Sequence, residues 1–328
     1  ASFTTLLAHE VGGVPSDIGG DFQYLKHYVN RLALLPNPRQ RLDRSWSQSE
    51  LRGAQLFRTK PVLNGLACAD CHTLPLGSSG EVLAETAPGV LGSADVPSLR
   101  GVADKLSAAH TIGGTFGTRT ELGAGLMHGG AFATLHEAAR LEDAAGTPRF
   151  ALTPQEAMDV ESFLLAFDTG IAPAAAYQAT AHAANASAVE TNELATLMEE
   201  ARRGRCDLVA LRTPALLPSG GFQLLAALYE PATGHFLQAS SALPFLVPHQ
   251  LIVEAQTGRP VTFLGVPRGT GLWLALDRDL DGLYDLDELA LGLSPEFGNQ
   301  DLDAFPDGYE VLWVLDPFVF TPTSACPD

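Results

Sequence analysis

Two stretches of the chain carry apolar residues at helical spacing behind a start signal. Ser47-Gln-Ser-Glu50 reads as a capping box, and Leu51, Ala54 and Phe57 follow on one helical face. Thr153 as N-cap, Pro154 in the first helical position and Glu156 in the third open another helix. It carries Ala157, Val160, Phe163, Leu164 and Phe167 and stops by Gly170. A third helix is expected where Ser187-Ala-Val-Glu190 can cap Leu194, Leu197, Met198 and Ala201, with its end at Gly204. Beyond it the pattern shortens. Apolar runs at Asp207–Leu211, Phe222–Glu230, Leu251–Ala255, Val261–Val266 and Leu272–Leu276 alternate with Gly- and Pro-bearing turns, which predicts a small β-rich domain.

The chain has 328 residues, 46% hydrophobic and 18% charged, enough for two or three folded units with real cores. Its net charge of −18 argues against a nucleic-acid partner, which would select a basic face. The excess is local: residues 274–328 hold 13 acids and one base, Arg278. No segment reads as a membrane span. Residues 169–189 lack formal charge, but Pro173, Gln178, His182 and Asn185 interrupt them. The first residues lack the basic start of a secretory leader, so Ala1 is expected to begin a mature or trimmed chain.

Cys68-Ala-Asp-Cys71-His72 fits covalent haem attachment. Two thiols three positions apart can each form a thioether to a vinyl group of one porphyrin, and the adjacent histidine then offers a ring nitrogen to the iron. A zinc knuckle would need a second Cys/His pair at matching spacing, and none follows. A thioredoxin-type disulfide would need a βαβ setting. A haem between a helix before it and a helix after it, with a Gly- and Pro-rich connection, is the cytochrome c plan.

Five segments in order carry a further likeness: Leu51-Arg-Gly-Ala-Gln-Leu-Phe57, the Cys68–His72 motif, Val96-Pro-Ser-Leu-Arg-Gly-Val102, Met127-His-Gly-Gly-Ala-Phe-Ala-Thr-Leu-His-Glu-Ala138, and Leu152-Thr-Pro-Gln-Glu156. Over about residues 45–170 the chain resembles one haem lobe of the bacterial di-haem cytochrome c peroxidase/MauG-like proteins, specifically the electron-transferring lobe. The resemblance implies Met127 as the sixth iron ligand. Family members carry two such motifs and this chain has one, so catalytic residues of the peroxidatic lobe are not carried over. Leu34-Leu-Pro-Asn-Pro38 looks like the connector ahead of such a lobe, which suggests a longer precursor.

Competing axial ligands are His128 next to Met127, an iron left open, and, at greater remove, His9, His27, His110 and His136. Met127 sits among Gly123, Gly125, Gly129 and Gly130, a poor place for core filling, whereas Met158 and Met198 fall on apolar helices and read as packing. Met ligation raises the haem potential and fills the coordination sphere, which suits electron transfer. Arg100 is a candidate partner for a haem propionate, with a solvated loop arginine as the plain alternative.

The acidic end resolves into two calcium-loop patterns. Asp277, Asp279 and Asp281 fill positions 1, 3 and 5 of an EF-hand-like loop, Gly282 the turn at 6, Leu283 the carbonyl position 7, Asp285 position 9 and Glu288 position 12. Asn299, Asp301, Asp303, Phe305, Asp307 and Glu310 repeat positions 1, 3, 5, 7, 9 and 12, with Ala304 in place of the glycine, which is expected to strain the turn. With Gly308-Tyr-Glu-Val and Leu315-Asp-Pro, the pair resembles thrombospondin type 3-like calcium repeats of extracellular bacterial proteins.

The expected fold is therefore mixed and multidomain. A cytochrome c-type helical domain spans 1–175, a helix with a small β-rich domain 176–273, and an EF-hand-like tail 274–328. The expected function is an extracytoplasmic, periplasmic or cell-surface mono-haem cytochrome of a bacterium, with one covalent haem c and one or two calcium ions. A redox partner protein is expected, within or outside a larger cytochrome assembly. A peroxidase-type subunit whose second haem is elsewhere, and a structural haem protein of an extracellular array, are the alternatives. Cys206 and Cys326 remain as an even pair and are expected to form a disulfide outside the cytoplasm.

Overall fold

The structure, a computed structural model, describes residues 24, 27–28, 34–83, 94–103, 110–112, 115–117, 126, 132, 134–141, 150–216 and 222–322. Two compact units divide the chain, Ala1–Leu35 and Pro36–Asp328, and everything below lies in the second. Its architecture is mixed, with helices and a five-stranded antiparallel sheet.

Helix α1, Gln48–Thr59, begins as its capping box requires. Glu50 N–H donates to Ser47 Oγ, and Ser47 N–H donates back to the Glu50 carboxylate. The motif itself forms the single turn α2, Cys68–Cys71. A short helix α3, Leu135–Arg140, and the longer α4, Pro154–Leu165, start with capping boxes at Thr134 and Thr153. Helices α1 and α4 lie against each other at Gly53, where only a missing side chain permits the contact. Their apolar faces meet in one core containing Ala54, Phe57, Val160, Phe163 and Phe167. Trp46, Phe57 and Phe167 all pack on the Phe163 ring, at centroid distances of 5.7, 5.2 and 5.6 Å. Asn37, 1% exposed, donates its amide to the carbonyls of Leu165 and Phe167, which closes the end of α4. Two small hairpins pair β1, Val82–Leu83, with β2, Ala94–Asp95, and β3, His110–Ile112, with β4, Thr115–Gly117.

The sheet orders its strands β5-β9-β6-β7-β8, with β5 Gln178–Ala181, β6 Asp207–Leu216, β7 Phe222–Glu230, β8 His235–Gln238 and β9 Val261–Val266. Alternation along β6 sorts Leu208 and Ala210 to one face and Val209 and Leu211 to the other. The first face is covered by a helix in three pieces, α5 Ala186–Val189, a π-helical turn Glu190–Leu194 and α6 Ala195–Arg202, and by α7, Pro248–Gln256. The β6–β7 register shifts between Arg212 and Ala215, where Pro214 has no N–H to give the ladder.

Three of the five apolar runs expected as strands are strands, and two are not. Leu251–Ala255 belongs to α7 and Leu272–Leu276 to α8, Gly271–Ala275, and its C-cap. The reason is legible in α7: Pro248 occupies its first turn, and the buried residues Leu251, Ile252 and Ala255 recur at helical spacing. The helix expected to be capped by Ser187 is capped two residues earlier, at Asn185, whose side chain closes a turn with Thr180 and His182. Met158 is 52% exposed rather than core.

The second face of the sheet carries Leu276, Tyr284 and Leu286 from the acidic segment. Leu286 N–H donates to Ala239 O, and Asp287 accepts from Ser240 and Ser241. Helices α9, Asp285–Leu291, and α10, Asp307–Leu312, each follow one of the two acidic loops. Among the described residues no helix is long and apolar enough to cross a membrane.

Candidate functional site

The turn that presents Cys68, Cys71 and His72 is set by Asp70, whose carboxylate accepts from Ala67 N–H at 2.7 Å. Both cysteines are half-buried free thiols. Burial, first of all, pushes the Cys68 thiol up to about 11, so it is protonated at neutral pH. His72 Nδ1 lies 2.8 Å from Gly77 O. A carbonyl can only accept, so Nδ1 carries a proton, and the neutral imidazole with that tautomer presents its lone pair at Nε2. Gly77 is held in turn. Its φ is +68°, and a β-carbon there would sit 2.6 Å from Leu99 Cβ and 2.9 Å from Phe167 Cζ. Ser98 Oγ donates to Leu76 O and Ser78 Oγ to Val96 O, tying this loop to the segment before Arg100.

The walls beside the motif are apolar: Val62, Leu99, Val102, Leu126, Phe132 and Leu135 share one core with Cys68. Arg100 stands at its edge, its guanidinium 3.2 Å from where a β-carbon on Gly170 would lie, with a buried Nε that has no hydrogen-bond partner. Free thiols, a histidine with one nitrogen fixed, apolar walls and an orphaned guanidinium donor fit a haem c and one propionate. Leu126 is buried and pairs with Phe132, but Met127 and His128 between them lie outside the described residues. His136 faces Glu161, at 3.8 Å.

The acidic loops bring their predicted residues together. Carboxylate oxygens of Asp277, Asp279 and Asp281 lie within 4.8 Å of one another, and so do those of Asp301, Asp303 and Glu310. Buried oxygens without a hydrogen-bond partner belong to Asp277, Asp279, Glu288 (both), Asn299, Asp301, Asp307 and Glu310. Glu288, Asp307 and Glu310 are 0% exposed. Buried, unpaired carboxylates cost several kcal/mol each unless a cation compensates them. Burial, then repulsion from Asp279, Asp281, Asp285 and Asp277, pushes Glu288 up to about 8. Burial likewise raises Asp277, Asp279, Asp285, Asp307 and Glu310. An all-oxygen donor set suits a hard divalent cation such as calcium.

Asp285 does not stand free toward the ion position. It accepts from Arg278 N–H and from the Arg278 guanidinium. Leu283 and Phe305 donate their N–H groups to Asp281 and Asp303, at 2.8 and 2.6 Å. Leu280 and Leu302, the fourth residues of the two loops, both take left-handed φ, 63° and 59°. Gly282 does so at position 6 with 102°, but Ala304 does not take a positive φ, so the strain expected there is absent.

Cys206 is a buried free thiol, and Cys326, its expected disulfide partner, lies outside the described residues. Burial pushes the Cys206 thiol up to about 12. Sequence reading missed the His72–Gly77 link, the Asn37 clasp on α4, and Thr321, whose N–H donates to Asp303 and whose hydroxyl donates to Glu310. Gly77, five residues past the histidine, was the one visible hint of the first. No family model, no curated protein and no solved structure matches the chain.

Proposed function

We propose that the chain is an extracytoplasmic c-type cytochrome of a bacterium that passes single electrons to and from a partner protein, with one covalent haem and calcium at two acidic loops. The observation that carries this reading is the Cys68–His72 turn with His72 Nδ1 tied to Gly77 O, which leaves Nε2 as the ligating nitrogen. Bound there, haem would supply a one-electron iron couple. Cys68 and Cys71 would hold its vinyl edge, and the Leu99, Val102 and Leu126 side chains would exclude water. Arg100, with its unpaired Nε, would hold a propionate. Met127 is assigned the sixth position on sequence grounds, and its thioether favours the reduced iron relative to a second imidazole.

The test is spectroscopic. The chain expressed with a haem-attachment system should carry one covalent haem, low-spin and inert to peroxide. Cys68→Ser with Cys71→Ser should abolish retention of haem under denaturing conditions. Met127→Ala should give a high-spin spectrum, and Met127→His should stay low-spin at lower potential. A spectrum untouched by Met127→Ala removes Met127 as ligand and moves attention to His128. Rapid peroxide turnover by the chain alone overturns the carrier assignment in favour of a peroxidase-type enzyme.

A further inference from the structure

We infer that the two acidic loops take up calcium as one coupled unit, with the Asp281 carboxylate as the link between them; this rests on the calcium reading above. Asp281 is the fifth residue of the first loop. Its Oδ1 accepts from Leu283 N–H within its own loop, and its Oδ2 accepts from Gly308 N–H, 2.8 Å away in the first turn of α10. The residues on either side of Gly308 in that turn include Asp307 and Glu310, candidate ligands of the second loop. A first-loop ligand thus ends on the backbone that aims second-loop ligands.

The contact is tight on both sides. A β-carbon at Gly308 would sit 2.4 Å from Asp281 O, and one at Gly298 would sit 2.8 Å from Asp281 Cβ. Asp307 N–H also donates to Gly298 O, at 3.0 Å. Two glycines therefore let the loops interlock at backbone distance.

The loops differ in what else supports them. The first is flanked by Leu276, Tyr284 and Leu286, which pack on the sheet. Helix α10 has only Asp307, Gly308 and Glu310 buried along its length, so acids and a glycine stand where an apolar anchor usually does. Asp307 and Glu310 each leave one buried oxygen without a partner, and Glu288 leaves two. Filling the first loop fixes Asp281, which fixes the start of α10 and gathers the second set of ligands. Linkage makes the effect reciprocal: an ion in the second loop tightens the first by the same factor.

Calcium titration of the metal-free full chain by calorimetry tests this. Two ions should bind with a Hill coefficient above about 1, and Glu310→Gln should bind one ion about fivefold or more weakly than the wild-type mean. Gly308→Ala, which changes no candidate ligand, should keep two ions and bring the Hill coefficient to about 1. Two independent ions in the wild type, or unchanged steepness in Gly308→Ala, overturn the coupling and leave the calcium reading standing. No calcium uptake at all overturns both. Where circular dichroism shows Gly308→Ala misfolded, Glu310→Gln decides: an unchanged affinity for the remaining ion overturns the coupling.

Discussion

A β-carbon on Gly53 would lie 1.9 Å from the carbonyl oxygen of Asp159, closer than any real contact, so α1 and α4 touch backbone to backbone there. The same Asp159 carboxylate receives the Arg52 guanidinium through two hydrogen bonds of 2.8 Å and the Ser49 hydroxyl at 2.6 Å. One residue of α4 thus fixes three consecutive-turn residues of α1. Gly53→Ala should force the helices apart and cost about 3 kcal/mol, the upper end for overpacking. An unchanged urea midpoint would mean the helices are farther apart than described.

Asp159 should also set the acid limit of the lobe built on α1 and α4. Its hydrogen bonds with Arg52, foremost, hold the carboxyl below its ordinary 3.8 despite burial. For a depressed carboxylate the stabilisation is complete above the unfolded value and is lost as pH falls through the folded one. Acid unfolding followed by Trp46 fluorescence should therefore begin below about pH 4 in the wild type and at higher pH in Arg52→Gln. Coincident acid curves would remove the pair from the account.

Glu288 reverses that sign. Its carboxyl sits at about 8 in the ion-free fold against an ordinary 4.5. The folded loop then binds a proton that the unfolded chain releases, so stability is full below about 4.5 and is lost as pH rises through about 8. Chelated protein should be cut after residue 276 faster at pH 8.5 than at 5.5, and calcium should abolish the difference. Equal cleavage at both pH values without calcium would show that Glu288 is not buried among the aspartates.

Gly77→Ala tests how the motif is held. The substitution places a methyl against Leu99 and Phe167 at a left-handed φ, so the Gly77 carbonyl must move off His72. The expected outcome is a lower yield of low-spin haem protein, read as the ratio of haem to protein absorbance. Normal yield and spectrum would show that the Gly77 carbonyl does not orient the ring.

Cys206, 2% exposed and free, should resist alkylation in the native protein and react once denaturant opens the core. Fast labelling of Cys206 before unfolding would contradict its burial between α6 and β6.

Local rules made the helix starts readable. Ser47 and Thr153 cap as their side chains dictate, because a capping box is completed within four residues. The acidic loops were readable for the same reason: each set of acids is contiguous. Short apolar runs were harder, since Leu251–Ala255 taken alone can fill a strand or one helix face, and Pro248 ahead of it together with burial against the sheet decides. The strain assigned to Ala304 is absent because the second loop shares the left-handed fourth residue of the first but makes no left-handed step at its sixth. Long-range ties such as Asn37 on α4, 128 residues away, leave no mark on either local pattern.

Strand β5 comes soon after the α1–α4 lobe, yet its neighbour in the sheet is β9, with Ala179 opposite Phe263 and Thr180 opposite Thr262. Everything from α5 to α7 lies between them in sequence. As the chain emerges from its N-terminus, the helical lobe is complete well before the β5 edge has anything to pair with, and the β6–β7–β8 meander can form by local turns in the meantime. The arrival of β9, inserted between β5 and β6, closes the sheet, and α8 and then the first acidic loop follow it. The order of the strands therefore sets an order of assembly: the α1–α4 lobe and the β6–β7–β8 meander come first, and the sheet closes last, when β9 reaches its place between β5 and β6.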